Sequence, residues 1–420
     1  MYKKVKGLTI IRLAKIVVPL VFITFFITTC NPSQSQNSPV DQKKWTFLFY
    51  DDADFNRAYD PFKDFKKYMC SSENLNVLIL RDQEFGPAKI WYVDKDHNPI
   101  CLKELGEINM GDYQSLYDFV DYSKENYPAE RYIISFYNHG GAWQGACIDK
   151  ASDNDILTMD EMQRALTDTG GVDIVCFSAP CLMGALESVY ELRNCTDIYI
   201  GSEEGSGYII WHRAMEQICE TLNQNPDITS IKLGEEIIGI INQNTMPLQS
   251  KDLNILTMSA VRTDRINEVI QAVEELSLYY LSHFDASCSF IQSVYNNVLV
   301  FGKGFSMDLY DFAEICHDVE TDPAVLSKLE LVMESLSDAV IAKCNGSTTA
   351  NAHGLSIYFP NSPSYSYDPK YGDSDYGLDF SADTHWDEFL DAYFSTFSVG
   401  KNQEVVDHFI HASDGLFPPK

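Results

Sequence analysis

Two short blocks of this 420-residue sequence carry side chains suited to acyl transfer: Asn138-His139-Gly140-Gly141 and Ser178-Ala179-Pro180-Cys181-Leu182-Met183-Gly184. A thiolate attacks a carbonyl carbon, and an imidazole manages the proton that a leaving amine needs. Alone, a Cys at a helix start or a His capping a strand is an ordinary structural feature. Position makes the pair informative. Each block follows an apolar run with strand character, Arg131 to Tyr137 and Asp173 to Phe177. In open parallel sheets ligands bind beyond the carboxyl ends of the strands. The two side chains lie 42 positions apart with one helical pattern between them, a comfortable length for a crossover. Neighbouring strands would then bring both to one edge.

A helical pattern from Leu182 to Leu192 sets Cys181 at a helix N-terminus, where orphan N–H groups and the helix dipole favour the thiolate. The N–H groups of Gly140 and Cys181 are the candidate oxyanion donors, glycine permitting close backbone approach.

The elements that must position these blocks alternate along the chain. Trp45 to Tyr50, Asn76 to Leu80 and Lys89 to Val93 read as strands. Phe55, Tyr59, Phe62 and Phe65 recur at helical spacing within Asp54 to Tyr68, and Tyr113 to Asn126 forms a helix closed by Pro128. A helix over Thr158 to Leu166 opens with Thr158 and Glu161, the capping-box spacing. Asp197 to Ile200 returns as a strand. Strands alternating with helices predict a mainly parallel sheet covered on both faces. Residues 226–345 are richer in helical periodicity, with amphipathic helices at Ile231 to Asn242, Asp264 to His283 and Ala324 to Ala342. A last strand, Gly354 to Phe359, and a terminal helix, Trp386 to Phe394, complete one domain over 44–400, followed by a tail at 401–420.

Residues 1–29 read as an export signal: a basic start precedes the 12-residue apolar run Ile16 to Ile27, shorter than a membrane-spanning helix. Thr28-Thr29-Cys30 then resembles a bacterial lipobox, with Cys30 acylated and residues 30–43 forming a flexible tether. The expected location is the bacterial cell envelope, lipid-anchored, periplasmic or surface-exposed, since several buried acyl chains hold a protein firmly to a bilayer. Five of the 31 basic residues lie in the first 15 positions; without them, 26 face 61 acidic residues. Such a field disfavours nucleic acid and bare anionic membrane and keeps the surface solvated. Of 11 cysteines, the ten beyond Cys30 show neither a dense disulfide framework nor metal-ligand spacing, and most read as small core residues, Cys176 among them. The carboxylates of Asp51, Asp52 and Asp54 read as a solvated turn rather than a metal site, with His353 the other tempting ligand.

The His139-Gly-Gly-Ala-Trp143 block and the run from Asp173-Ile through Cys181-Leu-Met-Gly-Ala-Leu-Glu-Ser-Val-Tyr190 resemble, in combination, the clostripain-like cysteine peptidases, in the same broad fold group as caspases and gingipains. Supporting segments are Trp45-Thr, Gly106 to Gly111, Gly201-Ser-Glu-Glu204, Leu256 to Ala260, Gly354 to Pro360 and Trp386 to Leu390, so the resemblance spans about residues 44–395. It implies a caspase-like open sheet with helices on both faces and a helical C-terminal part. It implies endopeptidase activity on peptide or protein substrates, through a His139 and Cys181 dyad. No metal is needed for that chemistry, although some relatives are stimulated by calcium. Relatives that cut after Arg or Lys carry an acid two positions before the nucleophile; here that position is Ala179, followed by Pro180. The expectation is a neutral or small P1 residue, unless Glu203 or Glu204 replaces the missing acid. Relatives are also matured in the loop after the His block, equivalent to Gln144 to Asp155, where Lys150 is the candidate cleavage site. The alternative is a catalytically silent binding lipoprotein on the same scaffold, favoured by Ala179 and Pro180.

Overall fold

The computed structural model describes residues 42–54, 67–206, 208–245, 254–360, 366–374 and 376–396. The export signal, Cys30, most of the tether, the tail and most of the helix expected over Asp54 to Tyr68 lie outside them. Among the described residues no helix is long and apolar enough to cross a membrane.

The centre is a nine-stranded sheet. In chain order its strands are β1 (Lys43–Asp52), β2 (Leu75–Asp82), β3 (Ala88–Val93), β4 (Pro99–Gly106), β5 (Ala129–Tyr137), β8 (Val172–Phe177), β9 (Thr196–Ser202), β10 (Thr257–Arg262) and β13 (Val340–Asn345). Their spatial order is β13-β10-β9-β8-β5-β1-β2-β3-β4. The five middle strands, β9 to β2, pair in parallel. Two further strands at each edge run antiparallel. The expected parallel sheet is thus its core, and alternation alone did not show the edge strands β4 and β13. The helix expected to reach Ala342 ends at Ala339, because Val340 turns the chain into β13.

Side chains of the middle strands alternate between two apolar cores. From β1, Trp45, Phe47 and Phe49 face one core with the helices α4 (Tyr208–Gln224) and α5 (Ser230–Thr245). Leu48 and Tyr50 face the other, larger core. There they meet α1 (Tyr113–Asn126), α2 (Met159–Asp168) and α3 (Leu186–Glu191). The helical C-terminal part extends this core with α6 (Ile266–Ser282), α7 (Phe284–Val294), α8 (Leu309–Val319) and α9 (Pro323–Ala339), then α10 (Asp379–Asp383) and α11 (Trp386–Ser395). The helix α2 opens with the expected capping box: the Thr158 hydroxyl accepts from the Glu161 N–H, and the Glu161 carboxylate accepts from the Thr158 N–H.

Two small sheets complete the fold. β6 (Ala146–Asp149) and β7 (Asp155–Leu157) form a hairpin between β5 and α2. β11 (Val300–Phe301), β12 (Ser306–Asp308) and β14 (Ser356–Tyr358) form a three-stranded sheet that takes up the expected last strand.

Candidate active site

β5 and β8 are parallel neighbours with Phe136 opposite Phe177, so the residues that follow leave the same edge of the sheet. The Ser178 hydroxyl donates to the Phe136 carbonyl at 2.9 Å, and the Ser135 hydroxyl donates to Ser178 at 2.9 Å. These buried bonds hold the two exits together. His139 follows β5 by two residues and Cys181 follows β8 by four; both are half-buried.

The two blocks pack directly on each other at Gly140. A Cβ built there would overlap the Cys181 carbonyl oxygen and lie 2.8 Å from Pro180 Cβ and 3.0 Å from Met183 Cγ. Only a residue without a side chain admits this approach. Gly140 also bridges Ala146 in antiparallel fashion. The bonds of that bridge run from Cys147 N–H to His139 C=O at 3.0 Å and from Gly141 N–H to Gly145 C=O at 2.8 Å. Neither bond uses the Gly140 N–H.

The His139 backbone is fixed from three sides. Its N–H donates to the Asn138 side-chain oxygen, while the Asn138 amide donates to Asp52 C=O at 3.1 Å and Ile148 C=O at 3.3 Å. Asn138 thereby ties the end of β5 to β1 and β6. Beyond it, Trp143 is fully buried in a cage of edge-on rings, Tyr358, Tyr371 and Tyr376, with centroids 5.2 to 5.5 Å away. The Tyr376 hydroxyl donates to Gln144 C=O at 2.9 Å. Sequence reading missed Asn138 and this cage. The amide beside the histidine was the signal for the first, but nothing linear joins Trp143 to residues more than 200 positions away.

Around Cys181 the expectation needs correction. No helix starts there: residues 181–185 form an irregular loop, and α3 begins at Leu186 with Ala185 as its N-cap. The helix dipole therefore does not act on the sulfur. Instead the loop runs beside the end of β9. Leu182 N–H donates to Glu204 C=O at 3.0 Å, Gly184 N–H to Ser202 C=O at 2.8 Å, and Tyr199 O–H to Met183 C=O at 2.6 Å. Gly184 and Gly201 permit this approach, since a Cβ on either would lie within about 3 Å of the opposite backbone. Leu182, immediately after Cys181, has φ +64°, a conformation that a leucine adopts at a cost of order 1 kcal/mol or more. Backbone strain of this kind is a recurring mark of functional loops.

The proposed specificity residues separate. Ala179 is half-buried, and its carbonyl accepts from the Ser206 hydroxyl. Glu203 is fully buried and accepts the Gly354 N–H at 3.0 Å. Burial and the neighbouring Asp308 hold its carboxyl well above the usual range. A carboxyl sealed from solvent and bonded to the Gly354 N–H is not presented to a substrate, so the expectation for Glu203 is withdrawn. The Glu204 carboxylate accepts the Gly302 N–H at 2.8 Å and is raised by burial. Gly302 in turn packs on Leu182: a Cβ there would lie 3.2 Å from the leucine side chain. Glu204 therefore stands next to the Cys181 loop, while Glu203 braces the start of β14.

Gln144 to Asp155 is not a loop throughout. It is mostly the β6–β7 hairpin, with Cys147 fully buried; its turn, 150–154, is irregular, and Lys150 is exposed there.

The acids at and just beyond the end of β1 are also corrected. Asp51, Asp52 and Asp54 are buried together with Asp82 and Asp149. Asp51 pairs with Arg81 at 3.0 Å, and Asp149 accepts N–H bonds from Met110 and Ser152. Burial and mutual repulsion raise Asp52, Asp54 and Asp82, the last to about 7. Among the described residues no group of three or more His, Cys, Asp or Glu is arranged to hold a metal ion. Raised affinity for protons relieves the repulsion instead. His353, the other tempting ligand, stacks on Tyr310 at 4.3 Å and contacts Asp308. Cys176 is core, as expected, with its thiol pushed up by burial.

Against known proteins, residues 50–393 match the profile of the Clostripain family of C11 peptidases. The chain belongs to the clostripain family. Clostripain of Hathewaya histolytica is 29% identical over 199 residues, a stretch that covers 38% of this chain and 38% of clostripain. Two solved structures share the fold. One is a secreted C11 cysteine protease from Bacteroides thetaiotaomicron, in complex with an irreversible peptide inhibitor; it has a TM-score of 0.62 at 16% identity and covers 82% of this chain and 99% of its own. The other is an inactive zymogen C11 protease from Parabacteroides distasonis, with a TM-score of 0.59 at 17% identity and coverage of 82% and 99%.

Proposed function

We propose that this clostripain-family chain is a cysteine endopeptidase acting outside the cytoplasm, with Cys181 as nucleophile and His139 as its acid–base partner. The Cys181 sulfur attacks the scissile carbonyl carbon, and negative charge collects on the carbonyl oxygen. The N–H groups of Gly140 and Cys181 are the proposed donors to that oxygen. As the tetrahedral adduct collapses, His139 delivers a proton to the leaving amine and a thioester remains. Water activated by His139 then releases the acid and regenerates the thiol. The observation that carries this reading is the direct packing of Gly140 on the Cys181 loop. It joins two blocks 42 positions apart through a contact that core packing alone does not require.

We further propose a neutral or small P1 preference, since the position two before the nucleophile is Ala179. Glu204, beside Leu182, is the acid that would reverse it. Lys150 on the exposed hairpin turn is the proposed maturation site, and acylated Cys30 the proposed envelope anchor.

The test incubates residues 44–420, and the same chain carrying Cys181→Ala, with a diverse peptide library and sequences the products. Cuts made only by the unaltered chain, after neutral residues, are expected. Cuts after Arg or Lys would refute the role given to Ala179. An absence of cuts, before and after nicking at Lys150, together with no Cys181-dependent labelling by a peptide electrophile, would refute the enzyme and leave a binding lipoprotein.

A further inference from the structure

All ten described cysteines are thiols in this structure, and two of them, Cys70 and Cys219, lie on neighbouring elements. Cys70 lies in the segment that leads into β2, and Cys219 on the inner face of α4. The segment runs along the helix in a fixed register. The Ser72 hydroxyl donates to the Asn223 side-chain oxygen, two residues beyond Cys70 and one helical turn beyond Cys219. An extended chain advances about 6.6 Å over two residues, and a helix about 6 Å over four. The contact at Ser72 therefore sets Cys70 opposite Cys219. The Cys70 N–H is accordingly directed at the Cys219 sulfur. The register is held by further bonds: Ser71 N–H donates to Val93 C=O at 3.0 Å, and Lys43 Nζ to Ser72 C=O at 2.7 Å. Cys70 is half-exposed and Cys219 is buried, so one sulfur is reachable from solvent and the other is not.

We propose that Cys70 and Cys219 form a disulfide when the chain meets an oxidising environment, such as the one its export signal implies. The step balances with a disulfide reagent as oxidant. The Cys70 thiolate attacks oxidised glutathione, forming a mixed disulfide and releasing one glutathione. The Cys219 thiolate then displaces the second glutathione, so two protein thiols lose two electrons and two protons while one reagent disulfide is reduced. The bond joins α4 to the entry of β2 and closes a long loop. α4 starts just after Ser206, whose hydroxyl holds the Ala179 carbonyl. The cross-link therefore restrains the helix that follows Ser206, the residue that holds the nucleophile loop at Ala179.

The test uses the full-length chain carrying Cys181→Ala, which removes the catalytic thiol, equilibrated in a buffer of oxidised and reduced glutathione. It is then alkylated in denaturant and mapped by mass spectrometry without reduction. The expected result is a linked pair of peptides containing Cys70 and Cys219, with two fewer alkylated thiols than in the reduced chain. The melting temperature should rise by about 5 °C, a rise that Cys70→Ser abolishes. Recovery of Cys219 as a free, alkylated thiol after oxidation, with Cys70 glutathionylated or joined to a different cysteine, would overturn the proposal. Mapping of the chain that keeps both cysteines separates these outcomes even if Cys70→Ser folds poorly.

Discussion

Replacing Gly140 with alanine adds a single methyl group at the seam between the two reactive blocks. The new Cβ would stand 2.8 Å from Pro180 Cβ and 3.0 Å from Met183 Cγ, and closer still to the Cys181 carbonyl oxygen. Ordinary contacts at such a position begin near 3.4 Å. The oxygen is backbone and Pro180 is rigid, so the seam itself must open, by about 1 Å. Overpacking of this kind costs about 1–3 kcal/mol of stability. The effect on chemistry is larger in proportion, because a 1 Å misplacement of reacting groups can cost on the order of 10²-fold in rate. Gly140→Ala should therefore fold, with a midpoint lowered by a few degrees, while kcat/KM falls roughly 100-fold. The control is Gly239→Ala within α5, where a Cβ meets nothing within 4 Å. It should gain about 0.5–1 kcal/mol from helix propensity and leave turnover unchanged. The assay is kcat/KM on the best peptide from library profiling, beside denaturant unfolding of each chain. If Gly140→Ala loses no more than threefold in kcat/KM, the seam does not position the reacting groups and the site as described is wrong.

Glu203→Gln should leave kcat/KM within about threefold on every peptide, since the native carboxyl is sealed against the Gly354 N–H and its proton affinity is raised by burial and Asp308; a selective loss on Arg or Lys substrates, read in a substrate panel, would restore Glu203 as a recognition acid. Glu187 is buried against Tyr358 N–H and Tyr371 O–H, and burial raises its carboxyl to about 6 from 4.5. Its folded form binds the proton more tightly than the unfolded chain does, so its contribution is fully present below pH 4.5 and is lost as pH rises through 6. That is about 2 kcal/mol, and Glu187→Gln should flatten the decline in unfolding free energy between pH 4.5 and 7.5 by this amount; an unchanged slope in urea titrations would contradict it. Thr158→Ala removes one arm of the α2 capping box and should cost about 1 kcal/mol, read in urea unfolding.

Features that are local or periodic could be read from the linear chain. The buried run of β1, the helix closed before Pro128 and the Thr158 capping box all depend on residues within a few positions of one another. The candidate pair was legible for the same reason: two strands ending in His139 and Cys181 blocks follow from local pattern plus a plausible crossover. Other features were set by long-range packing. Leu182 to Leu192 has helical periodicity, yet residues 182–185 do not join the helix, because Leu182 N–H and Gly184 N–H are taken by Glu204 and Ser202 at the end of β9. Asp51, Asp52 and Asp54 look solvated in sequence, but β2 and the β6–β7 hairpin close over them. Glu203 and Glu204 are adjacent in the chain, yet one is sealed against Gly354 and the other bonds Gly302 beside the Cys181 loop. Residues 182–185 and the acids owe their state to partners supplied by distant segments. Periodicity records which face of an element is apolar; it carries no record of which backbone donor or carboxylate a remote strand will reach first.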